Sequence, residues 1–296
     1  MSLSLFSPLI PLPGSPDTSS SEVKTWKRCK GKWLLKYVLR RRRVSKSRAL
    51  NFGSLTHSVL ANYYGSRVGG QDGTTLSPLE RLKKGFKVAC EEEKPDRELV
   101  RDVFKILLNY IKFWKEDFDL FLPEMDFERV PVFDYKFAGF IHGRFDGALT
   151  SKDKIWVVDH KTGKQFKPKT YELDPQLDLY SVAGAKLFGK EFGGVIINYI
   201  RSKVAKSGVN FVRTEVVRSP SELTLIEHNL ARTLRAMGST LPVNIEFNYT
   251  HTCTWDCEFL SMCRRLRAGQ TVGRFLEESY VLREDLEDES EEVTNG

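Results

Sequence analysis

With 296 residues, 41% of them hydrophobic, the chain can build one large domain or two modest ones around a real core, which excludes disorder as a description of the whole. The formal charge of +7 hides a segregation: residues 277–296 carry nine Asp or Glu against Arg283 alone, a net of −8, which leaves +15 on residues 1–276. No apolar run reaches the roughly 18 residues of a membrane span, and the opening stretch has no basic segment ahead of its short apolar part, so a soluble, cytoplasmic protein without membrane contact is expected.

In chain order, residues 1–20 are rich in Ser and Pro and read as a flexible leader. From Ser21 to Val38, Trp26, Trp33, Leu34 and Tyr37 recur at helical spacing, with Ser20 or Ser21 as cap and Cys29 on the side of Trp26 and Trp33. Between Lys24 and Arg48 stand twelve Lys or Arg and no acid, including Arg40 to Arg43. Such a block attracts polyanions by counterion release, nucleic acid first among them; a solvated helix face or a localisation-like run is the other reading. A helix is expected over Leu55–Tyr64, then a Gly-rich turn at 69–73, then helices over Pro78–Glu92 and Arg97–Leu122. Val103, Ile106, Leu107, Tyr110, Trp114 and Phe118 of the last form one core-facing stripe, and Cys90 reads as ordinary core.

After Pro123 the texture changes to strands over Phe127–Tyr135, Phe137–Leu149 and Lys154–His160, a helix over Pro175–Phe188, and strands over Phe192–Arg201 and Asn210–Arg218. Ser219-Pro220-Ser221-Glu222 fits a capping box with Pro at the first helical position, opening a helix to about Met237. The fold class expected is α/β, a mixed central sheet flanked by helices, with a helical N-terminal segment and a Cys-rich C-terminal end. Residues 21–276 form its domain, and residues 277–296 an acidic disordered tail, or else an intramolecular DNA mimic for the basic groove.

Metal-assisted phosphodiester cleavage needs carboxylates to hold the ion, a group to orient water, and positive charge against the phosphorane-like transition state. Asp146 lies in Gly143-Arg144-Phe145-Asp146-Gly147, and thirteen residues later comes Asp159 in Val157-Val158-Asp159-His160-Lys161-Thr162-Gly163. Strand alternation turns Asp159 and Lys161 to one face and His160 to the other. A hairpin would carry Asp146 to that pair, where the two acids share one Mg²⁺ or Mn²⁺ and Lys161 orients water or leans on the phosphate. Taken singly, each element has a plain alternative: a solvated strand rim, a helix cap, a helix face.

Together, G-R-x-D, a hydrophobic strand ending D-x-K-T-G, and Gln176-Leu177-Asp178-Leu179-Tyr180 resemble the motifs of the RecB-like PD-(D/E)XK exonucleases, similar to the CRISPR-associated and AddB-type nuclease domains. Gly53-Ser54-Leu55-Thr56-His57 resembles the same family's G-x-x-x-H element. The resemblance implies a restriction-endonuclease-like fold and metal held by His57, Asp146, Asp159 and the main-chain carbonyl of His160. It further implies Lys161 in the catalytic role, with Gln176 and Tyr180, on one helix face, engaging substrate near the scissile phosphate. Glu128 corresponds only loosely to a further acidic position of that family.

Cys253, Cys257 and Cys263 stand as C-x₃-C-x₅-C, with Cys29 far upstream. Four thiolates suit tetrahedral Zn²⁺ or an iron–sulfur cluster, and spacing alone does not choose. The arrangement is similar to the cluster-bearing branch of the RecB-like nucleases, which implies a [4Fe–4S] cluster on Cys29, Cys253, Cys257 and Cys263, although that branch has two residues where this chain has three between the first two clustered cysteines. The activity expected is a divalent-metal-dependent DNA exonuclease acting on single-stranded DNA or DNA ends, in recombination, repair, replication or viral DNA processing. Trp26, Trp33 and Tyr37 would either stack bases or pack the cluster. No G-x-x-x-x-G-K-[ST] pattern is present, so any motor belongs to a separate helicase or recombination protein. The rival reading is a non-catalytic DNA-binding or scaffold protein that has kept the fold and the cluster.

Overall fold

The computed structural model describes residues 17–43, 48–66, 76–114, 122–166, 171–203, 209–241 and 244–282. The chain divides into two compact units, one of Met1–Lys46, Pro131–Phe140 and Asn229–Gly296, the other of Ser47–Val130 and Ile141–His228. Asp17–Ser19 (β1) leads into Ser20–Arg28 (α1), Lys30–Trp33 (α2), one π-helical turn over Leu34–Val38 and the short strand Arg41–Arg43 (β2). Three helices follow, Arg48–Gly65 (α3), Pro78–Glu93 (α4) and Arg97–Phe113 (α5). Next come the strands Leu122–Phe133 (β3), Phe137–Ser151 (β4) and Lys154–Gly163 (β5), the helix Pro175–Phe188 (α6), the strands Phe192–Arg201 (β6) and Phe211–Val216 (β7), and the helix Pro220–Ser239 (α7). Cys253–Asp256 (α8), Leu260–Arg267 (α9), Gly273–Ser279 (α10) and Tyr280–Leu282 (β8) complete the described chain.

The sheet is mixed, as expected. Its order is β1-β4-β5-β6-β7 with β3 also on β4; β5 runs antiparallel to β4 and parallel to β6, and β6 antiparallel to β7. A parallel neighbour requires a crossover, and α6 supplies it between β5 and β6. Val158, Ile196, Ile200 and Phe211 pack against the apolar stripes of α3, α4 and α5, so one sheet face is closed by that three-helix layer. In the other unit a smaller core gathers Leu35, Phe259, Met262, Val272 and Tyr280. The expected capping box is present: Ser219 Oγ accepts from the Glu222 amide at 3.3 Å, and the Glu222 carboxylate accepts from the Ser219 amide at 2.7 Å.

Four expectations need correction. Asp17–Ser19, within the stretch read as a leader, forms a strand, and Ser19 rather than Ser20 or Ser21 caps α1. The helix expected without interruption over Ser21–Val38 breaks at Cys29, which is extended (φ −161°, ψ 110°), while its sulfur accepts from the Lys32 amide at 3.4 Å as the cap of α2. The helix expected to reach Leu122 ends at Phe113, and Leu122 opens β3. The acidic end expected to be disordered from residue 277 is helical through Ser279 and then pairs as β8 with β2, because Tyr280 is buried in the small core. The leader before Asp17, the Gly-rich turn and residues 283–296 lie outside the described residues.

Candidate active site and cysteine cavity

β4 and β5 bring the expected acids together. Their ladder runs from Ser151↔Lys154 to Gly147↔Val158, and immediately beyond it the Asp146 Oδ2 accepts from the His160 amide at 2.6 Å. Asp159 is buried, and the Lys161 Nζ stands 2.9 Å from its Oδ1 and 2.8 Å from its Oδ2. The same ammonium donates to Gln176 Oε1 at 2.8 Å. α6 delivers Gln176 there because Asp174 caps the helix through the Gln176 amide at 2.8 Å and Pro175 takes the first helical position. One turn later Tyr180 accepts from Gln176 Nε2 at 3.1 Å and donates to the Arg144 carbonyl at 2.8 Å, which ties the helix back to β4. From α3, His57 reaches the same place, with Nδ1 at 3.2 Å from Asp146 Oδ1.

The two acids shift in opposite directions. Burial raises both, but for Asp146 the His57 charge and hydrogen bond, with His160, prevail and its pKa falls below the usual carboxylate value. For Asp159 burial prevails over Lys161, with the Asp146 charge adding to it, and the pKa rises. Burial alone would lower Lys161, yet Asp159 and Asp146 more than offset it, so the ammonium is held above its ordinary value and stays charged. His57 follows the same logic: burial lowers it, Asp146 and then Asp159 raise it, and the net shift is upward. Among the described residues no three His, Cys, Asp or Glu side chains already stand as a group that would hold a metal ion. The Lys161 ammonium bonds Asp159 and the His57 imidazole bonds Asp146, so both acids already have partners.

His160 faces the three-helix layer. Its Nδ1 lies 2.9 Å from Asn198 Nδ2, and Asn198 also donates to Tyr110 at 2.9 Å; Tyr110 bonds Tyr64 at 2.8 Å and accepts from Arg213 at 2.9 Å. Because an amide nitrogen donates, His160 Nδ1 accepts, and burial pushes the imidazole down to about 3. The sequence reading placed Tyr110 in a core stripe and missed its bonding to Asn198, Tyr64 and Arg213, since partners on four separate elements leave no local pattern. Glu128 is exposed, whereas Glu124 is raised first by partial burial, then by the Asp146 charge working against Arg144.

Residues 17–264 match the family described as the PD-(D/E)XK nuclease superfamily. The chain belongs to that superfamily. Its members are nucleases that generally depend on divalent metal, typically Mg²⁺ or Mn²⁺, and cut DNA, and the mixed sheet seen here suits their restriction-endonuclease-like fold. A comparison with curated proteins found no match. Among solved structures the chain is similar to one described as "Crystal structure of SSO0001", at 15% identity and a TM-score of 0.33, covering 71% of this chain and 84% of that one. No helix among the described residues is long and apolar enough to cross a membrane.

The matched residues also include four cysteines of interest, all in the first unit. Cys29, Cys253, Cys257 and Cys263 line one cavity of about 370 Å³, together with Arg28 and Lys32. Burial pushes the Cys263 thiol up to about 12, with the charges of Cys257, Cys29 and Cys253 adding to it, and burial also raises Cys257. Cys253 moves the other way, lowered first by a backbone hydrogen bond at Thr250. Trp33 is buried and donates from Nε1 to Glu22 at 2.8 Å, so it packs this unit and is no base platform. Cys90 packs against the helical core and does not line this cavity.

Proposed function

We propose that this chain is a divalent-metal-dependent DNA exonuclease of RecB-like type, acting on single-stranded DNA or on ends. The observation that carries the reading is the cluster of Asp146, Asp159 and Lys161 at one end of the β4/β5 pair, with Gln176 holding the lysine. Asp146, Asp159, His57 and the His160 carbonyl would hold Mg²⁺ or Mn²⁺, hard oxygen donors and one imidazole being suited to either ion. The ion supplies Lewis acidity at the scissile phosphate. Lys161, kept charged by its neighbours, is unsuited to remove a proton; its ammonium donates to the attacking water or to a phosphate oxygen as negative charge grows there. Gln176 fixes that ammonium, and Tyr180 fixes Gln176, so the pair orients the donor before substrate arrives.

In the cysteine cavity we propose a [4Fe–4S] cluster, with Zn²⁺ as the alternative. A single tetrahedral zinc needs its sulfurs about 3.8 Å apart, from a Zn–S bond near 2.3 Å. All four cysteines line one cavity of about 370 Å³, and that size supports an occupant larger than a single ion. Arg28 and Lys32 suit the negative charge of a thiolate-bound cluster.

Labelled single-stranded DNA with Mg²⁺ or Mn²⁺ tests the first proposal. Asp159→Asn and Lys161→Ala should each lower the rate by roughly 10²–10³-fold, the loss typical of removing one stabiliser of transition-state charge. Equal rates in wild type and variants would end the nuclease reading, and cutting of circular single strands would end the exonuclease one. For the cavity, iron, sulfide and zinc are counted in protein purified without oxygen; a colourless product with stoichiometric zinc removes the cluster.

A further inference from the structure

A group of rings beside Lys161 is left over by this mechanism. Tyr199 on β6 stands directly across from Lys161 in the parallel ladder, on the strand after α6. Its side chain is 2% exposed, yet its hydroxyl makes no hydrogen bond among the described residues. A tyrosine used only as core filler ordinarily finds a partner for that oxygen. A β-carbon on Gly163 would lie 3.0 Å from the hydroxyl, so the oxygen overhangs the end of the D-x-K-T-G strand, where the glycine leaves room. Phe166 tilts against Tyr199 with centroids 5.0 Å apart and stacks on Tyr171 at 6.0 Å and 24°. The Tyr171 hydroxyl is close enough to Lys161 and Asp159 for both charges to act on it, and the Arg201 charge acts in the same way on Tyr199. Leu173, beside the cap of α6, is 84% exposed.

We propose that Tyr171 and Phe166, backed by the buried Tyr199, form a stacking wall for one unpaired base of the nucleotide next to the phosphate at Lys161, and that this wall selects single-stranded over duplex DNA. The proposal rests on the nuclease reading for the place of the phosphate. Every base has a π face that a phenol or phenyl ring can cover, whereas a base inside a duplex is already stacked and must be unpaired first. Tyr199, buried in the sheet, backs Phe166 from the core side, and Arg201 supplies positive charge to the backbone there. Tyr171, half-buried in a turn ahead of α6, is the ring that presents the outer face.

The test is fluorescence anisotropy in EDTA, with a labelled single strand and the matching hairpin duplex, for wild type, Tyr171→Ala and Tyr171→Leu, each checked for an unchanged melting temperature. Tyr171→Ala should weaken single-strand binding by roughly 5- to 150-fold, the loss associated with one stacked base, and leave the duplex unaffected. In Mg²⁺ it should raise KM with kcat held, and should no longer distinguish a substrate carrying one abasic nucleotide from an intact one. Unchanged affinity for both DNAs, or a parallel loss for both, overturns the wall. Should wild type degrade single strands while Tyr171→Ala does so with unchanged KM, the wall falls and the nuclease stands. Should wild type degrade nothing while the variant still loses single-strand affinity, the wall stands and the nuclease reading falls.

Discussion

His160 is held between two demands. Its amide fixes Asp146, while its imidazole is buried and neutral against Asn198, with the Arg213 charge also opposing protonation. The sign of the pH effect follows from linkage. An unfolded chain takes up a proton on this residue near 6.5, the folded one only near 3, so the unfolded state binds more protons in between and stability falls as pH drops through that window. His57 contributes in the opposite sense, since its raised value gives stability that is present in acid and lost as pH rises through the folded value. The difference between wild type and His160→Gln isolates the first effect: the variant should lose less melting temperature from pH 6.5 to 3. An identical decline in both would show that this imidazole is not the acid-sensitive group. Strand alternation made the opposed faces of Asp159 and His160 legible in the sequence; the depression of His160 was not, because it depends on Asn198 and Tyr110 from β6 and α5.

At the scale of elements, α3 carries His57, and its position depends on how closely α4 approaches. A β-carbon on Gly85 of α4 would meet the Val59 carbonyl at 2.8 Å and the Tyr63 amide nitrogen at 3.3 Å, both backbone atoms of α3. Alanine would by propensity gain about 1 kcal/mol in a helix interior, but overpacking against backbone costs about 1–3 kcal/mol. Gly85→Ala is therefore expected to destabilise on balance, by about 1 kcal/mol, and to weaken Mn²⁺ binding by calorimetry as α3 moves His57 off Asp146. Tighter or equal Mn²⁺ binding would show that α3 tolerates the shift. Apolar periodicity revealed α4, α6, β4 and β6 almost at their observed bounds, but β3 begins at Leu122 and not Phe127, and the Ser219 capping box marked the start of α7. It missed the break at Cys29, where Trp26, Trp33 and Tyr37 keep helical spacing while the cysteine turns extended to cap α2. Periodicity reports which face is apolar; it carries no record of a residue diverted toward a cavity.

Over the whole molecule the charge is divided, +15 on residues 1–276 and −8 beyond, and the division meets in one small ladder. Arg41, Arg42 and Arg43 pair with Leu282, Val281 and Tyr280, so the most basic run of the chain is hydrogen-bonded to the start of its most acidic stretch. Composition marked residues 277–296 as solvated because the acids outnumber everything else; it gave no weight to Tyr280, whose partners lie elsewhere in the sequence. That ring stacks on Phe259 at 5.1 Å, and its hydroxyl donates to the Glu258 carbonyl at 2.9 Å. Cys257 packs against the same core, so the β2/β8 ladder and the cysteine cavity share a wall. Tyr280→Ala should cost about 3–5 kcal/mol in urea unfolding, as large aromatic truncations in a core do, whereas Tyr280→Phe keeps the ring and should lose only about 1 kcal/mol with the hydrogen bond. On the proposed cluster reading, the alanine variant should also retain less iron per chain after purification, because the wall behind Cys257 loses its support. If it unfolds at the wild-type urea concentration, β8 is an ornament on the acidic end and not an anchor for it.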